Sequence, residues 1–421
     1  MFDQHMWWDP RRPSLAFAAQ VAPLRAFVDL ECSYLRELVL QALARRPGWE
    51  VQVAALPPPP SAGGLPAEAD EEEYSPPGTC FAWVEYERTN WEKVLAGQLH
   101  TAGFCVRKGL IRKAQLAYNL KRWAAKHPES LLAAATPETL QFEFSDVDYL
   151  DEALAEVFEV RDMAADGSEW WILKPSMTNQ GRGILVFNAL TQLESALREE
   201  GAEDVREWVL QRYISQPLLV GGCKFHIRTY ALVVGAMSVY VYCDMLTLFS
   251  LAPYDADPTN LAAHITNTCC QRPTDAAAEA AAVGLLRHLP ARLHAGGSLN
   301  LRDAEQRCAG VNADCSALVG QCFEAVSAEL SFMPLPNAFE LYGFDFLVDS
   351  DWRVWLLEVN AQPDFAQTGT ELRGVVAGVV EGALALSIDV WHPAHAAPSA
   401  PHGFTHVFSR QRAGAGGFAF H

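Results

Sequence analysis

The 421-residue sequence lacks an uninterrupted apolar run of the roughly 18 residues that a membrane-spanning helix needs. Its most hydrophobic late segment, 372–390, is broken by Arg373, Glu381 and Asp389. The N-terminus also lacks the order of a signal peptide, in which a charged stretch precedes an apolar one. We therefore expect no membrane partner and a cytoplasmic location.

Paired CxxC motifs are absent as well. Ten cysteines are scattered along the chain, and Cys269 and Cys270 are neighbours. This pattern is typical of reduced, mostly buried thiols in a cytosolic protein.

Basic residues are scarce in this chain. There are 32 Lys and Arg against 51 Asp and Glu, which gives a formal net charge of −19. Nucleic acids are bound through clustered Lys and Arg, and an excess of acid repels a polyanion. The charge balance therefore argues against a nucleic-acid partner. Half of the residues are hydrophobic, so a wholly disordered chain is excluded.

At roughly 150 residues per domain, the length predicts two or three domains. A strand-like segment, RAFVDL, and a helical one, SYLRELVLQALARR, indicate an N-terminal α/β domain over residues 1–100. Four consecutive prolines, a Gly-Gly pair and an acidic run predict a disordered insertion at 57–77. We also expect a helix near 275–289 and a disordered, Pro-, Ala- and Gly-rich tail over 393–421.

Residues 107–126, RKGLIRKAQLAYNLKRWAAK, form a basic stretch without any acidic residue. Apolar residues recur there at helical spacing, so one face of a helix could be buried. The stretch is either a solvated helix face or a docking surface for a phosphate or an acidic partner.

Three polar residues interrupt two otherwise apolar strands that flank a polar turn. Asp345 lies in FELYGFDFLV, and Glu358 and Asn360 lie two apart in RVWLLEVN, so the latter two share one strand face. Unpaired buried carboxylates are costly, and oxygen ligands from paired strands suit Mg²⁺. A structural salt bridge or an outward-facing strand edge is the alternative.

A second candidate is a polar loop after a strand that ends in Lys174. The loop, 175–183, contains Gly181, Arg182 and Gly183, whose backbone and charge could contact a polyphosphate. The motif matches neither the P-loop nor GxGxxG, and an ordinary hairpin is the alternative.

Lys224, His226 and Arg228 recur at every second position of KFHIRTY, so they share one face of a strand. That face is either functional or a solvated sheet surface. The segment VLQRYI offers the backbone of 212–214 as a hinge for adenine. The segment HITN adds two small hydrogen-bonding residues, Thr266 and Asn267.

The order of these segments resembles the tubulin-tyrosine ligase family of ATP-grasp amide ligases. The matching segments are LIRKAQLAYNLKRWAAKHPES, WILKPSMTNQGRGILVF, VLQRYISQPLLVGGCKFHIRTYALVV, HITNTCCQ and FELYGFDFLVDSDWRVWLLEVNAQP. They extend over about 109–386, and the short architecture is most similar to the tyrosine-ligase-like members. The resemblance implies an α+β ATP-grasp fold, with a central subdomain at 101–212 and a C-terminal one at 213–392.

The resemblance also implies a role for each matching residue. ATP would be held by Lys174, Gln180, Gly181, Arg182, Gly183, Gln211, Arg212, Tyr213, Ile214, Lys224, His226, Thr266 and Asn267. Mg²⁺ would be coordinated by Asp345, Glu358 and Asn360. Catalysis would fall to Arg228, Lys174 and Glu358, and the acidic substrate tail would dock on Arg112 and Lys113.

By this resemblance the protein is a ligase that uses ATP and Mg²⁺ to activate a carboxylate as an acyl phosphate, which an amine then attacks. Its expected partners are the acidic C-terminal tail of α-tubulin and a free amino acid, tyrosine first among them. This implies a cytoplasmic protein that associates with tubulin or microtubules.

Two positions depart from the family pattern. The family usually has Lys-Phe-Asp-Ile-Arg where this chain has His226, and it usually has an arginine in the stretch that here reads DMLTLFSLAPY, near Met245. The lost cation would help to hold a substrate carboxylate. Two alternatives therefore stay open: an ATP-binding regulatory member without ligase activity, and a ligase for an acceptor other than tubulin.

Overall fold

The computed structural model describes residues 23–54, 76–157, 169–177, 183–199, 205–255, 257, 260–266, 271, 278, 281–368, 372–397 and 402–410. The insertion predicted at 57–77 lies outside these residues except for Pro76 and Pro77. The described strands form three sheets, one in each consecutive part of the chain.

The first sheet is parallel and has the order β2-β1-β3-β4. Its elements are β1 (Leu24–Asp29), α1 (Ser33–Leu43), β2 (Trp49–Val53), β3 (Thr79–Val84), α2 (Trp91–Leu95) and β4 (His100–Thr101). The strand and the helix predicted from RAFVDL and SYLRELVLQALARR are confirmed. Gly48 ends the connection from α1 to β2 at a φ of +78°, a left-handed conformation that favours glycine.

The basic stretch forms two helices instead of one. They are α3 (Lys108–Ile111) and α4 (Lys113–Ala124), and α5 (Leu131–Ala135) follows. Arg112 is extended between them, with φ −84° and ψ 123°. Helix α4 begins at Lys113 because its first N–H groups bond to a residue far along the chain: Lys113 N donates to Ser176 O at 3.3 Å, and Ala114 N donates to Ser176 Oγ at 3.2 Å.

The second sheet is antiparallel and has the order β5-β8-β6-β7. Its elements are β5 (Thr139–Glu143), α6 (Leu150–Ala155), β6 (Trp171–Pro175), β7 (Leu185–Phe187), α7 (Leu190–Leu197) and β8 (Glu207–Arg212). Phe142, Trp171, Phe187 and Trp208 are buried in a core that this sheet shares with its two helices.

The third sheet is the largest and is built around one long strand, β10. Its strands are β9 (Leu219–Val220), β10 (Cys223–Val234), β11 (Ser238–Tyr242), β12 (Leu246–Phe249), β13 (Val283–Leu285), β14 (Phe339–Val348), β15 (Val354–Ala361) and β16 (Phe404–Ser409). Its helices are α8 (Leu261–His264), α9 (Leu289–Ala295), α10 (Leu301–Val326), α11 (Arg373–Leu386) and α12 (Ile388–Trp391). The predicted hairpin of β14 and β15 is confirmed.

Strand β10 is buried on both faces. Ile227, Ala231 and Val233 belong to the core that contains α10, whereas Tyr230 and Leu232 belong to the core shared with α11 and the first sheet. Successive side chains of a strand point to opposite faces of the sheet, so a central strand can contribute to two cores at once.

Two predictions about this part of the chain are wrong. Residues 283–285, expected to be helical, form β13 against β12. Residues 404–409, expected to be disordered, form β16 against β11. The tail is rich in Pro, Ala and Gly, but it contains a six-residue run, FTHVFS, whose aromatic and β-branched residues favour a strand. This strand covers the open edge of β11.

The apolar stretch 373–391 would be long enough to cross a membrane by length and composition, but half of it is buried inside the fold. The three charges that interrupt it each pair with the first domain. Arg373 contacts Glu37 at 2.8 Å, and Arg46 contacts Glu381 at 3.0 Å and Asp389 at 2.8 Å. These pairs attach α11 and α12 to α1 and to the segment that follows it.

Candidate active site

The centre of the site is a buried ion pair across β10 and β14. Arg228 and Asp345 are directly opposite in the register of the two strands. Arg228 Nε donates to Asp345 Oδ1 at 2.5 Å, and Nη2 donates to Oδ2 at 2.9 Å. Burial lowers the pKa of Arg228, but the Asp345 carboxylate outweighs this effect and raises it. The guanidinium is therefore a permanent cation at this position.

The three predicted metal ligands lie together beside this pair. Glu358 is opposite Asp345 in the register of β14 and β15. Asn360 Nδ2 donates to Asp345 Oδ2 and to Glu358 Oε1, both at 3.2 Å. Two carboxylates and an amide at one place are a donor set that fits Mg²⁺, which prefers few carboxylates together with substrate phosphates.

Two lysines from other elements approach the same carboxylates. Lys113 Nζ lies 3.5 Å from Glu358 Oε2. Lys113 is the first residue of α4, and Ser176, two residues after Lys174, fixes the start of that helix. Burial alone would raise the pKa of Glu358, but the ammonium groups of Lys113 and Lys174 lower it to about 2. Glu358 is therefore ionised at neutral pH.

Lys174 and Lys224 are buried and are held by neutral partners. Lys174 Nζ donates to Gln211 Oε1 at 2.8 Å, and Lys224 Nζ donates to Tyr213 Oη at 2.8 Å and to His264 O at 2.9 Å. Burial lowers the pKa of Lys174 to about 8, although Glu358 opposes the shift. Burial and the charge of Lys174 lower the pKa of Lys224 to about 7. Both amines would gain stabilisation from a polyanion.

The predicted adenine hinge divides into inward and outward residues. The side chains of Gln211 and Tyr213 face the two lysines, as described above, and Ile214 is half-buried. The side chain of Arg212 instead pairs with Glu138 at 2.8 Å and with Glu169 at 2.5 Å. Its expected contribution is therefore through the backbone.

His226 occupies the position where the family pattern has an aspartate. Its Nδ1 lies 2.6 Å from Thr266 Oγ1, and its Nε2 lies 3.7 Å from Asp345 Oδ1. Burial lowers the pKa of His226 to about 4, although Asp345 opposes the shift, so the ring is neutral at pH 7. On the neighbouring β12, Leu246 and Leu248 lie opposite Arg228 and His226, and both are buried. Apolar side chains thus occupy part of the stretch where the family usually has an arginine.

Gln180, Gly181, Arg182 and Asn267 lie outside the described residues, so their roles stay predictions. Gly183 has a φ of +69°, and a Cβ there would lie 2.9 Å from Pro175 Cγ, which favours glycine.

The predicted docking pair is split by the structure. Arg112 lines a surface cleft beside Pro175 and Glu207, whereas Lys113 lies in the site. The docking role predicted for Lys113 does not include its contact with Glu358, which depends on where α4 begins. The N-terminal cap of α4 comes from Ser176, and the spacing of apolar residues within the basic stretch carries no information about that contact.

A sequence profile of the tubulin-tyrosine ligase family matches residues 107–397. The chain belongs to the tubulin-tyrosine ligase family. It is 32% identical over 348 residues to a probable tubulin–tyrosine ligase of Schizosaccharomyces pombe, covering 72% of this chain and 82% of the relative. It is also 32% identical to Pby1 of Saccharomyces cerevisiae, named a probable tubulin–tyrosine ligase, covering 70% of this chain and 44% of that protein. The expected likeness to short, tyrosine-ligase-like members of the tubulin-tyrosine ligase family is thereby confirmed.

A solved structure supports the fold. The C-terminal domain of Pby1 from K. lactis is described as an ATP-grasp enzyme interacting with the mRNA decapping enzyme Dcp2. It superimposes with a TM-score of 0.63 at 27% identity, covering 93% of this chain and all of that domain. The predicted α+β ATP-grasp fold is confirmed, and family and fold together support an ATP-dependent ligase. A more distant relative, a protein polyglycylase of Mus musculus, is 28% identical over 53% of this chain and 34% of its own length.

Proposed function

We propose that this protein is an ATP- and Mg²⁺-dependent ligase that joins an amino acid, with tyrosine as the expected one, to the acidic C-terminal tail of α-tubulin. The observation that carries the proposal is one face of the third sheet, with Lys174 of the second sheet near Glu358; the residues on that face are Lys224, Arg228, Asp345 and Glu358. Such a face combines cations for phosphate oxygens with oxygen donors for a divalent metal.

The reaction begins with a carboxylate oxygen of the acceptor attacking the γ-phosphorus of ATP. ADP leaves, and an acyl phosphate forms. The amine of the amino acid then attacks the acyl carbon, loses a proton and expels inorganic phosphate, which leaves an amide. Lys174 and Lys224 orient the phosphates, and Arg228 stabilises the negative charge of the transferred group. Asp345, Glu358 and Asn360 would hold Mg²⁺, which would neutralise charge on the phosphate oxygens.

The direct experiment uses purified protein with Mg-ATP, mixed amino acids and detyrosinated tubulin, followed by mass spectrometry. We expect a mass increase on the α-tubulin tail that corresponds to tyrosine. Incorporation of no amino acid into tubulin would contradict the proposal.

The acidic tail is expected to dock on the exposed basic residues of the 107–126 stretch. Lys113 is unsuitable for testing this because it lies beside Glu358. Lys121 and Lys126 are exposed, and a Lys121→Glu/Lys126→Glu variant reverses charge on the surface alone. We expect weaker use of tubulin with unchanged Mg-ATP binding. Arg302→Glu, on the exposed start of α10, is the control and is compared with the single variant Lys121→Glu, so that one charge is reversed in each. An equal effect of these two single variants would contradict tail docking at this stretch.

Two observations favour other candidates. The likeness to Pby1, whose solved domain is described as interacting with a decapping enzyme, favours an acceptor other than tubulin. The same mass spectrometry on cell lysate tests this possibility. His226 and the leucines of β12 favour a member that binds ATP without ligating. Mg-ATP binding without acceptor-dependent ADP formation would support that reading.

A further inference from the structure

His264 is a buried histidine whose side chain has no role in the reaction described above. It is the last residue of α8. Its Nε2 lies 2.9 Å from the carbonyl oxygen of Asp257, which can only accept a hydrogen bond, so Nε2 carries the proton. Burial lowers the pKa of His264, so the ring is neutral at pH 7. The other ring nitrogen, Nδ1, is therefore a hydrogen-bond acceptor.

This acceptor fixes the direction of the Tyr213 hydroxyl. Tyr213 Oη lies 2.7 Å from His264 Nδ1, and a lone pair at that distance needs the proton of the phenol. Burial raises the pKa of Tyr213, so the phenol keeps its proton. Tyr254 packs edge-on against the ring of His264, but its hydroxyl donates to the carbonyl oxygen of Ser215 at 2.9 Å and does not compete for Nδ1. Tyr213 Oη can therefore accept a hydrogen bond from another donor.

Lys224 is that donor. Its Nζ donates to Tyr213 Oη at 2.8 Å and to the carbonyl oxygen of His264 at 2.9 Å. The carbonyl is available because the last carbonyls of a helix accept no hydrogen bond within the helix. A lysine ammonium has three N–H groups, and among the described residues no acceptor takes the third. His264 thus determines two of the three N–H directions, one through its carbonyl and one through Tyr213.

We propose that His264 is a positioning residue, whose imidazole acts through Tyr213 to orient the ammonium of Lys224 toward a phosphate of the bound nucleotide. The role rests on the proposed ligase function, because it requires Lys224 to contact ATP. With two N–H groups held, the third keeps one direction. A long side chain then loses little conformational freedom when the phosphate binds. The imidazole itself does not touch the nucleotide.

The test is calorimetric titration of the full chain with Mg-ATP and, separately, with adenosine, which has no phosphate. His264→Leu removes the acceptor of the Tyr213 hydroxyl, and we expect Mg-ATP to bind about tenfold more weakly. His264→Asn places an amide oxygen near the position of Nδ1, so it should bring Mg-ATP affinity back to within about twofold of the unsubstituted protein. Adenosine should bind equally well to both variants and to the unsubstituted protein, since Lys224 has no phosphate to contact.

Three further variants make the test specific. Tyr213→Phe removes only the hydroxyl between His264 and Lys224, so it should reproduce the loss of Mg-ATP affinity. Lys224→Met removes the ammonium itself, so adding His264→Leu to it should lower Mg-ATP affinity no further. His288→Leu is the control, because it makes the same substitution at an exposed histidine and should bind Mg-ATP normally.

Four results would each overturn the role of His264. They are unchanged Mg-ATP affinity in His264→Leu, an equal loss of adenosine affinity, binding by His264→Asn as weak as by His264→Leu, and additive effects of His264→Leu and Lys224→Met. Absence of Mg-ATP binding by the unsubstituted protein would overturn the ligase function together with this role. Mg-ATP binding that is insensitive to His264→Leu would overturn this role alone.

Discussion

At the scale of single residues, the site is a set of opposite charges that stabilise one another before any substrate is present. Arg228 pairs with Asp345, and Lys113 approaches Glu358. Each charge would be costly to bury alone, so the ion pairs explain how the fold tolerates them. Substrate phosphates are anions, as Asp345 and Glu358 are, and a divalent metal is a cation, as Arg228 and Lys113 are. Substrate and metal can therefore take the place of these partners without leaving a buried charge unpaired.

Glu358→Gln should abolish metal-dependent phosphoryl transfer with little effect on folding. The substitution keeps the shape and the acceptor oxygen for Asn360 but removes the charge that a metal needs. We expect acceptor-dependent ADP formation to fall by about 10²-fold or more, as for loss of one major electrostatic contact. Asp351→Asn, in the exposed turn of the same hairpin, is the control. Unchanged ADP formation in Glu358→Gln would refute the metal assignment.

The lowered pKa values of Lys174 and Lys224, about 8 and about 7, predict proton uptake when ATP binds near pH 8. The sign follows because a lysine is charged below its pKa, and a bound polyphosphate stabilises the charged form. ATP affinity should therefore fall as the pH rises from about 7 to about 9. Calorimetry in buffers of different ionisation enthalpy measures the uptake, and Lys224→Met should reduce it. Equal heats in all buffers would contradict the prediction.

At the scale of elements, Pro363 and Arg228 approach Gly343 so closely that adding one methyl group there should lower both stability and activity. Gly343→Ala would place a Cβ 2.9 Å from Pro363 and 3.1 Å from Arg228, closer than ordinary contacts. We expect destabilisation of about 1–3 kcal/mol from overpacking, together with lower activity because Arg228 must move. Gly310→Ala is the control, since it lies on an exposed turn of α10 with open space around it and should stabilise by up to about 1 kcal/mol. Urea denaturation measures both, and a neutral Gly343→Ala would contradict the packing argument.

The sequence correctly predicts those elements whose own residues carry the whole apolar pattern. The hairpin of β14 and β15 is an example, because Asp345, Glu358 and Asn360 stand out against apolar neighbours on a known strand period. The break at Arg112 could not be predicted, since the cap that restarts α4 comes from Ser176. Likewise, β16 depends on the open edge of β11, more than 160 residues earlier in the chain. Contacts of this kind leave no local pattern.

At the scale of the whole molecule, Arg46, which follows α1, connects the N-terminal domain to the C-terminal helices. Its side chain is fully buried, with Nε and Nη2 donating to both Asp389 oxygens at 2.8 and 2.9 Å. Arg46→Met should destabilise by about 3–5 kcal/mol, because it leaves the carboxylates of Asp389 and Glu381 without this cation.

Two further variants make this test specific. Arg45→Met removes an exposed pair with Glu381 and should change the free energy of unfolding by about 1 kcal/mol or less. The double variant Arg46→Met/Asp389→Leu should recover part of the loss, since it removes the carboxylate of Asp389 together with Arg46, while Glu381 keeps its contact with Arg45. Urea denaturation of the series decides the matter, and similar effects of Arg45→Met and Arg46→Met would show that this junction is not held by Arg46.

The core around Phe339 has a consequence for how this protein can be divided. The family match covers 107–397, yet Phe339 within it stacks on Phe81 with centroids 6.1 Å apart, and Tyr242 packs against Phe404 beyond the other end of the match. A fragment cut at the limits of the match would contain the predicted metal ligands and the lysines, but it would present an aromatic patch to solvent on each side. Such a fragment should self-associate during expression, so the region that carries the chemistry is not the region that folds independently.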